Sequence, residues 1–91
     1  KWATVRQPQK AGWVWRIAYS PDGTRILSAG MNDNSYRIWD VESGKATVIG
    51  DKAHDGYVVG IAWMPDGKRV LTAGRDLAVK LWDAENGKLL R

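Results

Sequence analysis

Apolar and polar positions alternate along this chain in short runs, with no run long enough for a helical period to establish itself. Val14 to Tyr19 and Val58 to Trp63 are rich in β-branched and aromatic residues, and each predicts a strand. Each is followed by Pro-Asp-Gly, at 21–23 and again at 65–67. Proline pre-sets φ for the first corner of a turn, aspartate bonds the backbone two residues on, and glycine accepts positive φ. Both tripeptides therefore predict antiparallel hairpins. The next strands are expected at Arg25 to Ser28 and Arg69 to Thr72, then Tyr36 to Asp40 and Val79 to Asp83. Glu42-Ser43-Gly44 and Glu85-Asn86-Gly87 supply further turns, and Lys45 to Ile49 reads as a fourth strand. Turn signals at this spacing, with strands between them, indicate an all-β chain.

The pattern is written twice. Ser20-Pro21-Asp22-Gly23 returns as Met64-Pro65-Asp66-Gly67, and Ser28-Ala29-Gly30 as Thr72-Ala73-Gly74, both after 44 residues. Arg37-Ile38-Trp39-Asp40 returns as Lys80-Leu81-Trp82-Asp83 after 43. The missing residue falls in the loop, Met31 to Ser35 against Arg75 to Ala78, where an insertion is tolerated best. A period of this size marks a repeat architecture whose units must stack to bury their apolar faces. Ala3-Thr4-Val5 resembles Ala46-Thr47-Val48 of the fourth strand. The chain is thus expected to divide into an outer strand of a preceding unit at 1–6, a first unit at 7–50 and a second at 51–91 with a truncated outer strand. Lys1 in place of methionine suggests a processed product, a fragment or an engineered chain.

At this point the chain resembles two consecutive WD repeats of the β-propeller family. Ala53-His54, Ile61-Ala62-Trp63, the Pro-Asp-Gly turn, Leu71-Thr72-Ala73-Gly74, Asp76 and Leu81-Trp82-Asp83 carry the resemblance, and most of them have counterparts in the first unit. It implies two four-stranded antiparallel blades, part of a closed propeller completed by other copies or by missing blades. It also implies a buried hydrogen-bonded set in the second unit of His54, Thr72, Asp76 and Trp82. In the first unit Ser28, Asp33 and Trp39 occupy the corresponding places, with Lys10 where the histidine would stand, so a looser upper edge is expected there.

Composition narrows the chemistry. Six Trp and three Tyr with no Phe suit sheet-on-sheet interfaces that have polar partners at hand. The net charge of +4 is spread along the chain rather than gathered into a basic stripe, which argues against nucleic acid. No run is long and apolar enough to predict a membrane helix. Without cysteine there are no disulfides or thiolate metal sites, and a lone histidine beside Asp51 and Asp55 is a poor ligand set. Ser20, Ser28 and Ser35 have no base at a suggestive spacing, and Gly12 and Gly30 form no phosphate loop. We expect no enzyme activity, no cofactor and no metal. A cytoplasmic location is expected, although absent cysteine leaves the compartment open.

The candidate binding string is Trp13-Val14-Trp15-Arg16, where alternation would put Val14 on one face and Trp13 and Trp15 on the other. By the resemblance it opens onto the propeller's upper rim, with Met31, Asn32, Tyr57 and Arg75 as further rim residues. Tryptophan, tyrosine and arginine dominate binding hot spots. The reading is a scaffold that binds protein or peptide at its rim. The alternative is a minimal two-blade block, natural or engineered, that self-assembles, three or four copies giving six or eight blades.

Overall fold

The computed structural model describes residues 14–30 and 34–91. Lys10, Trp13, Met31, Asn32, Asp33 and the outer strand at 1–6 lie outside the described residues, as does the side chain of Trp15. Seven strands follow in order: β1 (Val14–Tyr19), β2 (Arg25–Gly30), β3 (Tyr36–Asp40), β4 (Ala46–Gly50), β5 (Val58–Trp63), β6 (Arg69–Gly74) and β7 (Val79–Asp83). They form two antiparallel meanders, β1-β2-β3-β4 and β5-β6-β7. β2 and β6 run two residues past the expected Ser28 and Thr72, because Ala29 still pairs with Tyr36 and Ala73 with Val79. β4 starts and ends one residue later than expected. The truncated fourth strand of the second sheet consists of one bridge, Leu89 opposite Trp82, extended by the Leu90 N–H donating to the Leu81 carbonyl.

Both Pro-Asp-Gly turns close the same way. The N–H of Gly23 donates to Ser20 O and that of Gly67 to Met64 O, each at 2.9 Å, with φ of +74° and +67°. That left-handed geometry is open to glycine at no steric cost. Asp22 accepts from the Thr24 N–H and from the Ser20 and Thr24 hydroxyls, which together hold its carboxyl at about 2, below the usual 3.8. The aspartates that end β3 and β7 act alike. Asp40 accepts from the N–H of Glu42 and Ser43, and Asp83 from those of Glu85 and Asn86, so each forms an Asx turn.

One expectation from alternation needs correction. β1 shifts register between Val14, opposite Gly30, and Arg16, opposite Ala29. The intervening Trp15 is the extra residue of a bulge, so a strict period of two does not run through Val14 to Arg16. β5 repeats the shift between Val58 and Gly60.

The core lies between the sheets. Leu27, Tyr36, Ile38 and Val48 of the first sheet pack with Ala53, Val70, Trp82 and Ala84 of the second unit, and Ile61 and Trp63 cover the margin. The rings of Tyr36 and Trp82 meet at 5.1 Å between centroids, tilted by 50°. Two polar contacts cross the seam lower down. The Trp63 indole N–H donates to Ala18 O at 2.9 Å. The Arg25 guanidinium lies 4.8 Å from the Trp63 ring centroid and donates to Gly67 O.

Tyr36 occupies a tight site. It stands opposite Gly50, where a Cβ would collide with its ring. Its hydroxyl is buried and has no hydrogen-bond partner among the described residues, and that burial, with the nearby Asp83 carboxylate, pushes its pKa from 10.0 up to about 12.

Two outcomes follow from this packing. Gly50→Ala should destabilise by about 1–3 kcal/mol through overpacking, and Tyr36→Val in the same chain should remove most of the added penalty, as read by urea unfolding in a double-mutant cycle. Because the folded-state pKa of Tyr36 is raised, its contribution to stability is intact below pH 10 and is lost as pH rises toward about 12. Tyr36→Phe should flatten that alkaline decline, seen in thermal midpoints across pH 9 to 12.

Candidate functional site

His54 lies in the segment between β4 and β5, Thr72 sits mid-β6, Asp76 opens the turn after β6, and Trp82 is on β7. Adjacent strands bring them to one end of the second sheet. His54 and Thr72 are buried at 3% and 1% exposure. The indole N–H of Trp82 donates to Thr72 Oγ1 at 2.8 Å, and Thr72 Oγ1 lies 2.7 Å from His54 Nε2. His54 Nδ1 lies 3.0 and 3.2 Å from the two oxygens of Asp76. A nitrogen facing a carboxylate carries the proton, so the network assigns Nδ1–H donating to Asp76. Nε2 then accepts from the Thr72 hydroxyl, which accepts from the indole. The chain of bonds runs in one direction and satisfies every buried polar atom in it.

Asp76 does more than hold the ring. It accepts from the Asp55 N–H at 2.9 Å and the Ala78 N–H at 3.1 Å, fastening the segment before β5 and the β6–β7 turn to one carboxylate. The Asp55 N–H, then His54 and the Ala78 N–H, hold the Asp76 carboxyl at about 2, well below its usual 3.8, against an opposing desolvation. Gly74 makes room for the set: a Cβ there would come within 2.7 Å of Asp76 Oδ1 and 2.5 Å of the imidazole.

The first sheet carries a shorter version. The Trp39 indole N–H donates to Ser28 Oγ at 2.8 Å, both residues being buried. Asp33 of that unit falls outside the described residues.

Above His54 the two units enclose a polar groove of roughly 710 Å3, flanked by Asn34, Asp51, Lys52, Asp55, Asp76 and Lys80. The Lys80 ammonium donates to Ala53 O at 2.8 Å, and the His54 N–H donates to Asn34 O at 3.3 Å across the seam. Asn34 adopts positive φ, +58°, as does Leu77 at the matching point of the second unit, +67°. Among the rim candidates, Tyr57 and Arg75 meet: the guanidinium lies 5.8 Å from the ring centroid, and the Arg75 N–H donates to Tyr57 O. Both are exposed, and so is Arg16 on β1. Sequence reasoning missed the roles of Asn34, Asp55, Lys80 and Arg25. Arg25 and Lys80 had a usable signal, their recurrence as Arg69 after 44 residues and opposite Arg37 at an offset of 43.

The chemistry on view is structural. Both ring nitrogens of the buried His54 are committed, leaving neither free to move a substrate's proton. Thr72→Val removes the hydroxyl both neighbours depend on, and should destabilise by about 1–3 kcal/mol because two buried groups lose their partner. Ser28→Ala, which strands only an indole, should destabilise less; chemical denaturation of both variants checks the order. The lowered pKa of Asp76 means that its contribution is complete above about pH 4 and is lost as pH falls toward 2. Asp22 and Asp66, also lowered, add to the same acid limb. Asp76→Asn should therefore reduce, without abolishing, the fall of the thermal midpoint between pH 4 and pH 2.

Comparison with known proteins agrees with this geometry. The chain aligns in three dimensions with a structure described as the crystal structure of RRP9 WD40 repeats, with a TM-score of 0.85 and 27% identity over 96% of its length. It aligns with the structure of U3-55K at a TM-score of 0.82 and 26% identity, also over 96%. It spans 27% of each of those chains. Among curated proteins no sequence matches it. The model of the WD domain, G-beta repeat, matches twice, at residues 3–40 and 46–83. The chain belongs to the WD-repeat family and consists of two consecutive repeats.

Proposed function

We propose that this chain is a non-enzymatic interaction module that presents protein- or peptide-binding residues on a rigid pair of blades. WD-repeat domains serve in general as protein-interaction scaffolds, and the commitment of His54, Thr72, Asp76 and Trp82 to one another supports a framework role for the polar core. The observation that carries the binding surface is the Tyr57–Arg75 pair. A guanidinium lies over a tyrosine ring, both residues exposed, at the end of the second sheet that the His54 network stiffens. An amphipathic ring beside a cation that can grip a carboxylate offers large contact area at low ordering cost. Arg16 and the tryptophans Trp13 and Trp15 extend this reading to the first unit.

A second reading has its own support. Ile17 and Tyr19 on β1 and Val79 on β7 are exposed at 61%, 53% and 68%. Flanks of that kind suit a block that assembles with further blades.

Panning a displayed peptide library against the purified chain tests the first reading. Enriched peptides should lose binding to the Tyr57→Ala, Arg75→Glu double variant by tenfold or more, while its melting temperature stays within about 2 °C of the parent, as expected for exposed positions. Peptides that bind the double variant equally well would place the ligand elsewhere, and failure to enrich any peptide would remove the support for rim binding.

A further inference from the structure

The interface inside the chain is a template for one outside it. Position by position, the repeat carries the first sheet's covered face onto the second sheet's outer face. Leu71, Val79 and Leu81 stand where Leu27, Tyr36 and Ile38 stand in the first unit. The latter three are fully buried against the second unit, whereas Val79 is 68% exposed and its neighbours border a shallow, mainly apolar depression of about 200 Å3. The opposite flank obeys the same rule. Ile17, Tyr19 and Ile26 stand where Ile61, Trp63 and Val70 stand, and those three face the seam.

The polar contacts of the seam are duplicated too, and their duplicates are unmet. Arg25 crosses to Gly67 O and covers the Trp63 ring. Its counterpart Arg69 is partly exposed and engages Asp66 of its own turn at 3.0 Å. Gly67 is flanked by Arg25 and Pro21, while the counterpart Gly23 has open space around it. Tyr19, in the place of Trp63, likewise carries a hydrogen-bond donor at its ring edge, and Ala62, in the place of Ala18, is exposed. Each half of the internal clamp thus has an equivalent on the opposite flank of the molecule, Arg69 bonded only within its own turn and Gly23 with open space around it.

We propose that the outer face of the second sheet docks the outer face of the first sheet in a second copy of this chain, head to tail, with Arg69 of one copy reaching the Gly23 carbonyl of the next and covering its Tyr19. This inference rests on the self-assembly reading and gives it an orientation and a set of contacts. Such a contact is heterologous: the two surfaces differ, so copies add in one direction. The cation matched to a carbonyl and a ring fixes the register that apolar burial alone would leave loose.

The experiment uses two variants with charge placed on different flanks, Ile17→Glu and Val79→Glu. Both positions are largely exposed in the single chain, and circular dichroism with tryptophan emission verifies that each variant folds. In analytical ultracentrifugation the parent should form species heavier than one chain, and each variant alone should sediment as a monomer. Their equimolar mixture should give a 1:1 heterodimer that grows no further, because the pairing consumes the single intact face of each variant and leaves only the two charged faces free. Arg69→Ala, which alters no apolar contact, should raise the dissociation constant about tenfold or more, as loss of a hydrogen bond from a charged group does. If either variant alone persists as a dimer, the copies associate but not head to tail, and the inference fails while the self-assembly reading stands. If the parent remains monomeric at every concentration, both fail. If only a longer chain carrying further repeats binds the Leu71 face, the occupant is another blade and not a second copy.

Discussion

Burial between two curved sheets is the constraint on which everything else depends. A three- or four-stranded meander has two faces, and in each of these units both faces carry apolar side chains. Neither unit can bury both by itself. Stacking solves half of the problem for each: Leu27, Tyr36 and Ile38 of one sheet lie against Val70, Trp82 and Ala84 of the other unit. The polar contacts are secondary to that burial yet decide its geometry. Tryptophan fills the space between sheets well, but its N–H must be answered. Trp39, Trp63 and Trp82 are answered respectively by a serine hydroxyl, a carbonyl across the seam and a threonine hydroxyl. Large apolar area and exact polar satisfaction are thereby met by the same residue type.

The buried network at His54 belongs to the same logic. Thr72 is a junction between two aromatic heterocycles, and Asp76 is a junction between a side chain and two backbone segments. Neither role requires solvent or a substrate. A site so fully paired is a framework, and in the function proposed above the surface it stiffens is the one that presents the binding residues. The exposed Tyr57–Arg75 pair, tied together by the Arg75 N–H donating to Tyr57 O, adjoins the turn that Asp76 holds.

Much of this was legible in the residues, for identifiable reasons. The Pro-Asp-Gly turns declare themselves because each residue does a different local job, and local jobs survive without tertiary context. The resemblance to WD repeats implied that His54, Thr72, Asp76 and Trp82 form one cluster, and adjacent strands do bring them together. Other features were hidden. The bulge at Trp15 has no proline or glycine beside it in the first unit, so alternation misplaces that residue; in the second unit Gly60 gives only a faint hint. Tyr36 over Gly50 depends on a register between β3 and β4 that the turn alone does not declare. Arg25 reaches a carbonyl 42 residues away, and no local pattern announces a bond of that range. For Trp13, Met31, Asn32 and Asp33 the sequence remains the only guide.

The Trp63 contact gives the molecule an optical gauge of its own. Its indole is hydrogen-bonded across the seam and capped by the Arg25 guanidinium, while Trp39 and Trp82 are bonded within their own sheets. Separation of the blades would release the first indole to water and leave the other two bonded. The difference in emission between this chain and a Trp63→Phe variant would therefore report parting of the units, without an added label.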